Sequence, residues 1–385
     1  MSYRLFAVTA PGLEPLVMTE LANLGLSAQK PTSFSLSGEP VEETGGVEFE
    51  ASRTDLYRAN LWLRTANRII YRLGEFRAVS FPELRKKAAR LPWETVLSPG
   101  QPVAIRVTCR KSRLYHSDGV AERVAGAIQD ALKQPVPLKK FDESSLPLPQ
   151  LIIVRFSHDE CVISVDTSGA LLHRRGYRLE TAKAPLRESL AAGMLLASGW
   201  DRQSPLVDPF CGSGTIPIEA AMMARKIAPG KNRQFAFMDW PGFNKKNWEK
   251  VLQQATSHEI RHSPVIQASD RDAGAIRIAK ENADRAGVLN SIQFECLAIS
   301  AVQPAGLSGW IVTNPPYGVR ISPGRDMRDL YARFGDVLRE KYPAWHTAIL
   351  SSSDVLYGQL RLPAQDKIQL INGGIPVSLY LGRVE

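Results

Sequence analysis

Three short motifs combine acidic, amide and glycine residues, each directly after an apolar run. The first is Asp208-Pro-Phe-Cys-Gly212-Ser-Gly214-Thr. Its two glycines let the backbone approach a ligand closely, and a helix that starts there offers free N–H groups to a carboxylate or phosphate. Pro217 occupies the place of the small third residue of the dinucleotide fingerprint, and no P-loop Gly-Lys-Ser/Thr follows. The motif predicts a different ligand-binding turn, with a simple tight strand-to-helix turn as the alternative.

Acidic residues follow a second apolar run, which ends at Ile266. A carboxylate directly after a strand can accept hydrogen bonds from both hydroxyls of a ribose, and Asp270 stands at such a place. The alternative is that Asp270 or Asp272 caps a helix that begins near residue 273. Because the glycine turn accompanies it, we expect Asp270 to bind a nucleoside.

The third motif is Asn314-Pro315-Pro316-Tyr317, which follows the apolar residues 310–312. Consecutive prolines cannot continue a helix and remove two N–H donors, so they fix the Asn314 amide and leave carbonyl oxygens free to accept hydrogen bonds. Tyr317 offers a ring face on which a flat base can stack. A planar amine held by the oxygens of Asn314 and Pro315 would point its lone pair at an electrophilic methyl group. A rigid proline turn without chemistry is the alternative.

The elements that must position these motifs show a regular alternation. Strands are predicted at residues 206–207, 265–266, 292–296, 310–312, 347–350, 368–371 and 377–381, and helices at 218–221, 273–286 and 327–341. Strands that alternate with helices of this length indicate a doubly wound, mostly parallel α/β sheet. Ligands bind at the carboxyl ends of the strands in such sheets, where all three motifs stand.

The first half of the chain has a different rhythm. Strands are predicted at residues 4–8, 47–49, 67–76 and 103–107, a hairpin at 151–156 with 161–165, and helices at 13–24, 54–63, 81–89 and 118–132. A loop rich in proline and lysine spans residues 134–149. We place the boundary between the two halves near residues 175–185.

Composition limits the class of protein. The chain has 385 residues, of which 44% are hydrophobic and 23% charged, which excludes a collagen, a coiled coil and a disordered chain and predicts two or three domains. No apolar run is long enough to span a bilayer and no secretory signal is visible, so we expect a cytoplasmic protein. Four widely spaced cysteines without a CxxC pair predict free thiols and no metal site.

The net charge points to a partner. Lysine and arginine number 48 against 39 acidic residues, which gives +9. This balance favours a polyanion such as nucleic acid. The excess is spread over both halves, so a mildly basic soluble enzyme is the alternative interpretation.

The motifs carry a family resemblance. Asp208-Pro-Phe-Cys-Gly-Ser-Gly-Thr215 followed by Asn314-Pro-Pro-Tyr317 resembles the S-adenosylmethionine-dependent methyltransferases that act on exocyclic amines. Three further segments narrow the resemblance to one family. They are Leu-His-Arg-Arg-Gly-Tyr-Arg at residues 172–178, Ala-Pro-Leu-Arg-Glu-Ser-Leu-Ala-Ala at 184–192 and Ser-Gly-Trp at 198–200. With them the chain is similar to the THUMP-containing RNA guanine-N2 methyltransferases, in their bacterial 23S rRNA branch. The similarity covers nearly the whole chain.

The resemblance implies a division of the chain into three parts. Residues 1–50 would form a ferredoxin-like subdomain, residues 51–170 a THUMP RNA-binding domain, and residues 171–385 a Rossmann-like class I methyltransferase domain. The fold class is therefore α/β with an N-terminal α+β region. Basic side chains are candidates for RNA phosphate contacts, with a solvated surface charge as the alternative for each: Arg110, Lys111, Arg113, Arg174, Arg175 and Arg178.

The resemblance also implies a cofactor site and a reaction. S-adenosylmethionine would be bound by Asp208, Phe210, Gly212, Gly214, Thr215, Asp270, Arg271 and Ala298, and the catalytic residues would be Asn314, Pro315, Pro316 and Tyr317. The family usually carries an acid where Ala298 stands, so adenine recognition would depend on backbone groups and packing. The sulfonium is already activated, so no metal is expected.

Four functions remain open at this point. The resemblance favours methyl transfer to guanine N2 in 23S rRNA. A tRNA guanine-N2 enzyme of the same fold would look almost identical, and a DNA adenine-N6 enzyme would share the Asn-Pro-Pro-Tyr chemistry. A non-catalytic RNA-binding assembly factor is the alternative from a different class.

Overall fold

The computed structural model describes residues 2–34, 40–42, 45–143, 147–178, 186–316 and 327–385. It contains two seven-stranded sheets and one two-stranded sheet. The predicted α/β class is confirmed. Within the described residues, no helix is long and apolar enough to cross a membrane.

The first sheet is built from residues 3–166. In chain order the strands are β1 (Tyr3–Thr9), β2 (Ala28–Gln29), β3 (Thr32–Phe34), β4 (Pro40–Glu42), β5 (Gly46–Ala51), β6 (Ala66–Arg77), β7 (Val103–Arg110), β8 (Gln150–Ser157) and β9 (Glu160–Asp166). The helices are α1 (Glu14–Asn23), α2 (Arg53–Trp62), α3 (Phe81–Ala88) and α4 (Ser117–Leu132). The sheet order is β2-β5-β1-β6-β9-β8-β7, while β3 and β4 pair separately.

Alternating side chains explain why these strands form a sheet with one covered face. In β7 the apolar Ile105 and Val107 point toward the core, whereas Arg106 and Arg110 are exposed, as the two-residue period of a strand requires. The predicted hairpin is confirmed, because β8 and β9 pair antiparallel. One continuous sheet therefore contains strands from both sides of residue 50.

The second sheet carries the three motifs. Its strands are β10 (Leu206–Asp208), β11 (Ile266–Asp270), β12 (Gln293–Cys296), β13 (Trp310–Thr313), β14 (His346–Ser351), β15 (Ala364–Asn372) and β16 (Ile375–Arg383). Helices α5 (Glu188–Ala197), α6 (Thr215–Ala224), α7 (Lys245–Ser257), α8 (Ala273–Arg285), α9 (Arg328–Lys341) and α10 (Asp354–Gly358) surround it.

The topology of this sheet brings the motifs to one edge. The strand order is β12-β11-β10-β13-β14-β16-β15, with β10 to β14 parallel and β16 antiparallel to both neighbours. The chain order reverses between β10 and β13, which is the point where open α/β sheets bind ligands. Asp208, Asp270 and Asn314 all stand at or just after carboxyl ends near this reversal.

The hydrophobic cores of the two halves interlock. Residues from the segment that follows α6 pack into the core of the first sheet, with the Tyr57 ring stacked on Phe237 at 4.7 Å between centroids. Helix α7 contributes Trp248 to the same core, and Asn247 Nδ2 donates a 2.9 Å hydrogen bond to Thr54 Oγ1 on α2. In return, Leu13 at the start of α1 belongs to the core of the second sheet. The sequence analysis predicted neither α7 nor this exchange.

Candidate functional site

Asp208 ends β10 and lies almost completely buried, at 1% exposure. Its Oδ1 accepts a 2.7 Å hydrogen bond from the Thr313 hydroxyl and a 3.2 Å bond from the Phe210 N–H. Burial raises the pKa of Asp208 to about 7, and the nearby Asp270 carboxylate adds to the rise. Asp208 thus connects the strand before the glycine turn to the strand before Asn314.

The glycine turn has the backbone conformation that its sequence requires. Gly212 and Gly214 adopt φ angles of 53° and 84°, in the left-handed region that glycine tolerates. A Cβ on Gly214 would lie 3.0 Å from the Ala279 Cβ on α8, so close packing also disfavours a side chain there. Helix α6 then begins at Thr215 without a side-chain cap, which leaves its first N–H groups free for a ligand.

The second acidic motif separates into two roles. Asp270 is half-buried, and its Oδ2 accepts a 3.0 Å hydrogen bond from the Gly212 N–H while its Oδ1 accepts one from the Asp272 N–H. Asp272 caps α8 by accepting hydrogen bonds from Gly274 and Ala275 at 2.8 and 3.3 Å. The capping alternative therefore holds for Asp272, whereas Asp270 supports the glycine turn.

Asn314 directly follows β13 and Thr313. Its Oδ1 is buried and has no hydrogen-bond partner among the described residues. A buried carbonyl oxygen without a donor is costly, and a ligand that supplies an N–H would remove that cost. Pro315 is buried and Pro316 is half-buried beside it. Tyr317, the predicted stacking residue, lies outside the described residues.

The remaining predicted cofactor residues lie at the same edge. Phe210 is half-buried, with its ring against Phe334 in an edge-to-face contact at 5.1 Å. Arg271 and Ala298 are exposed after β11 and β12. The Cys296 thiol donates to the Arg271 carbonyl oxygen at 3.7 Å, which joins the ends of these two strands.

This arrangement fits S-adenosylmethionine. The half-buried Asp270 has carboxylate lone pairs left for ribose hydroxyls, and the uncapped start of α6 offers N–H groups to a carboxylate. Ala298 presents no side-chain acceptor to an adenine amine. The unpartnered Asn314 oxygen lies at the carboxyl end of the neighbouring strand β13.

The predicted RNA contacts fall into two groups. Arg110, Lys111 and Arg113 are exposed where β7 ends, and the Arg174 side chain is 53% exposed beside Glu143. Arg175 and Arg178, also predicted to contact RNA, are different, because Arg175 is buried and Arg178 is half-buried, so neither has the solvated surface charge of the alternative interpretation. The sequence of residues 172–178 suggests a basic surface patch, but in the structure Arg174 is exposed whereas its neighbour Arg175 is buried.

The inward-facing arginines hold the junction between the two halves. Arg175 donates to the carbonyl oxygens of Leu172 and Arg64, each at 2.5 Å, and lies 3.5 Å from the Glu219 carboxylate. Arg178 donates a 2.6 Å hydrogen bond to the Thr215 hydroxyl at the start of α6. Glu219 is completely buried, so it needs the cations beside it, which are Arg175 and Arg64. A glutamate inside an apolar helix was the sequence signal for this network, and the sequence analysis did not use it.

Family models match three consecutive parts of the chain. They describe an RlmL ferredoxin-like domain over residues 4–70, a THUMP domain over 78–166 and an RMKL-like methyltransferase domain over 175–380.

Curated relatives are similar over nearly the whole chain. A Synechocystis protein named as an RNA methyltransferase is 34% identical over 97% of this chain and 95% of its own length. The ribosomal RNA large subunit methyltransferase K/L of Methylococcus capsulatus is 35% identical over 99% of this chain and 51% of its own length. The chain thus spans about half the length of the K/L relatives it matches.

Solved structures share the complete architecture. The methyltransferase SMU.472, complexed with SAH, is 31% identical with a TM-score of 0.87, covering 100% of this chain and 98% of the other. A Listeria monocytogenes protein named as a predicted N6-adenine-specific DNA methylase is 34% identical with a TM-score of 0.87, covering 100% and 97%. TrmN from Thermus thermophilus, at 21% identity and a TM-score of 0.71 over 100% of both chains, shares the fold.

Proposed function

Because the chain belongs to the RMKL-like methyltransferase family, we propose that it methylates the exocyclic N2 amine of guanine in RNA, with 23S rRNA as the substrate. S-adenosylmethionine is the methyl donor, as the SAH bound to SMU.472 supports. RNA binding belongs to the part before residue 170 and methyl transfer to the part after it.

The observation that carries the proposal is the unpartnered Asn314 oxygen. It is buried at the carboxyl end of β13, and the neighbouring Thr313 is bonded to Asp208 beside the glycine turn. A buried acceptor at this place suits an amine that donates an N–H and keeps its lone pair for attack.

The reaction requires alignment of three atoms. When bound, S-adenosylmethionine supplies a methyl group that its sulfonium has already activated. Asn314 Oδ1 and the Pro315 carbonyl oxygen accept hydrogen bonds from the amine and hold its nitrogen in line with the methyl carbon. The nitrogen–carbon bond forms as the carbon–sulfur bond breaks, and the amine then releases its extra proton to solvent, so no strong base is needed. Buried Thr313 and Asp208 hold Asn314 in position.

Residues of this chain also hold the methyl donor. Asp270 would accept hydrogen bonds from the ribose hydroxyls, and the N–H groups at the start of α6 would donate to the carboxylate of the methyl donor. Arg178 keeps Thr215 in place through its 2.6 Å hydrogen bond. The target base has to leave its stack to reach this recessed edge.

The RNA substrate is supported by the THUMP match over residues 78–166 and by the exposed basic side chains. Arg110, Lys111, Arg113 and Arg174 are exposed and could contact phosphates, which would give salt-dependent and sequence-independent affinity. Single-stranded or distorted RNA exposes guanine N2 better than a regular helix does.

A DNA adenine-N6 activity is the second candidate, because the Listeria relative is named for it. One experiment separates the two. The protein is incubated with labelled S-adenosylmethionine and undermodified 23S rRNA, tRNA or duplex DNA, and each product is digested to nucleosides. We expect label in N2-methylguanosine from 23S rRNA. Label in N6-methyladenine from DNA alone would overturn the proposal. Label in N2-methylguanosine from tRNA alone would show that tRNA, and not 23S rRNA, is the substrate. Cofactor binding without label in any arm would favour the RNA-binding assembly factor.

A further inference from the structure

An open cavity of about 590 Å³ lies between the two halves of the chain. Its walls come from α1, α2, α5, α6 and α7. It reaches the end of α6 at Met223, whereas the cofactor turn precedes the start of the same helix. Ten helical residues rise about 15 Å, so this cavity is separate from the methyl-transfer site.

The cavity is strongly basic. Its lining contains four cationic side chains and one histidine: Arg58, Arg64, Arg202, Lys226 and His258. Glu20 is the carboxylate among the lining residues, and it accepts hydrogen bonds from the N–H groups of Arg64 and Thr65 at 2.8 and 3.0 Å. Burial raises the pKa of Glu20, while these hydrogen bonds act in the opposite direction. Arg58 is paired with Asp55 at 2.9 Å and Arg64 with Glu219 at 3.6 Å, so the excess positive charge that favours an anion comes from Arg202 and Lys226.

Arg64 is the buried member of this set, at 7% exposure. Its Nη2 donates to the Ile227 carbonyl oxygen at 2.6 Å. Its Nη1 makes no hydrogen bond to any described residue and lies 3.6 Å from Glu219. The Glu219 carboxylate thus neutralises part of the Arg64 charge, and an anion at the cavity wall would place a second negative charge beside this guanidinium.

The cavity also offers an apolar surface. Trp62 is half-buried and lines it together with Leu16, Leu196 and Met223. An indole ring next to cations is suited to a flat ring that carries a phosphate. The volume falls within the range of small-ligand sites.

We propose that this cavity binds a phosphate-bearing ligand of nucleotide size, with the phosphate on Arg64, Arg202 and Lys226 and the base against Trp62. The ligand would bridge the two halves, because Arg64 and Trp62 precede the boundary and Arg202 and Lys226 follow it. Two sources share this chemistry, namely a free mononucleotide and a nucleotide unit of bound RNA.

Calorimetry with the full chain tests the proposal. Binding of S-adenosylhomocysteine is recorded first, so that a failure of the proposed cofactor site is seen on its own. Adenosine 5′-monophosphate, adenosine and inorganic phosphate are then titrated into protein saturated with S-adenosylhomocysteine. If that ligand does not bind, the titrations are run without it. We expect saturable binding of the nucleotide and much weaker binding of adenosine.

Charge-reversal variants locate the site. Arg202→Glu combined with Lys226→Glu should weaken nucleotide binding about tenfold or more, because both side chains are exposed and the fold does not need them. Lys280→Glu, an exposed position on α8 outside the cavity, is the matched control. Trp62→Leu should weaken the binding of the nucleotide but not the binding of inorganic phosphate.

The outcomes are distinct. A short oligoribonucleotide that displaces the mononucleotide, and that the double variant binds less tightly, identifies RNA as the source, whereas failure to displace it identifies a free nucleotide. The proposal is overturned if the parent protein shows no saturable nucleotide binding, or if the double variant and Lys280→Glu bind the nucleotide equally well.

Discussion

The Thr313 hydroxyl donates a 2.7 Å hydrogen bond to the Asp208 carboxylate, and both side chains are buried. One residue precedes the cofactor turn and the other precedes Asn314. This contact extends the pairing of β10 and β13 to the two strand ends that are proposed to hold the methyl donor and the acceptor amine. It also places an acid where burial works against its ionised form.

Asp208 should make stability depend on pH. Burial raises its pKa to about 7, against about 3.9 in an unfolded chain. The stabilisation from protonated Asp208 is thus complete below pH 4 and is lost as the pH rises through 7. We compare the free energy of unfolding of Asp208→Asn with that of the parent. We expect this difference to shift in favour of the variant by a few kcal/mol as the pH rises from 5 to 8. Urea unfolding at both values measures this, with the exposed Asp284→Asn as control. An unchanged difference between the two pH values would disprove it.

Asn314→Ala should strongly slow methyl transfer while leaving cofactor binding intact. The lost oxygen has no partner among the described residues, so folding does not depend on it. We expect kcat to fall by a factor of about 10² or more, as when one positioned hydrogen-bonding group is removed from an active site. Single-turnover kinetics and calorimetry measure the two effects. Asn290→Ala, at an exposed position, is the control, and near-parent turnover in Asn314→Ala would rule out its assigned role.

Substitution of Asp270 should affect cofactor affinity, whereas substitution of Asp272 should affect stability. Asp270→Ala removes the ribose acceptor and the support of Gly212, so S-adenosylhomocysteine affinity should drop by about 1–3 kcal/mol. Asp272→Ala removes the cap of α8, which should cost about 1 kcal/mol of stability with little effect on affinity. Calorimetry and thermal unfolding measure these quantities. The assignment fails if the cap variant loses more affinity than Asp270→Ala.

Two adjacent arginines should behave in opposite ways. Arg175→Ala leaves Glu219 with one less cation in a buried site, so we expect a loss of about 3 kcal/mol in stability. Arg174→Ala removes an exposed charge, which should change stability by less than about 1 kcal/mol. The Arg174→Ala variant should bind RNA less tightly. The slope of log affinity against log salt concentration should also become smaller, by an amount that corresponds to about one phosphate contact. Equal loss of stability in both variants would contradict the burial pattern.

Local sequence rules were sufficient for most elements. The glycine turn, the helix after Asp272 and the parallel strands follow from backbone preferences and periodicity that act over a few residues. The alternation of strands and helices predicts parallel strands but not their order, and the observed reversal between β10 and β13 brings the three motifs together.

Long-range packing was not visible in the sequence. Phe235, Phe237 and Trp240 follow α6 in the chain, yet their partners lie in the first sheet. Aromatic residues show that a segment is buried but not what covers it. Likewise, Arg174 and Arg175 have the same chemistry in sequence, and only the Glu219 carboxylate behind one of them distinguishes their surroundings. The predicted site residues themselves stay predictions until the variants above are measured.

The shared core has a consequence for synthesis on the ribosome. The last strand of the first sheet ends at Asp166, but Phe237 and Trp248, which fill its core, are translated about 70–80 residues later. At about 5–20 residues per second, the nascent first half waits for several seconds with part of its apolar surface uncovered. A chaperone or the ribosome surface would protect it during that interval, and slow codons before residue 250 would prolong the exposure.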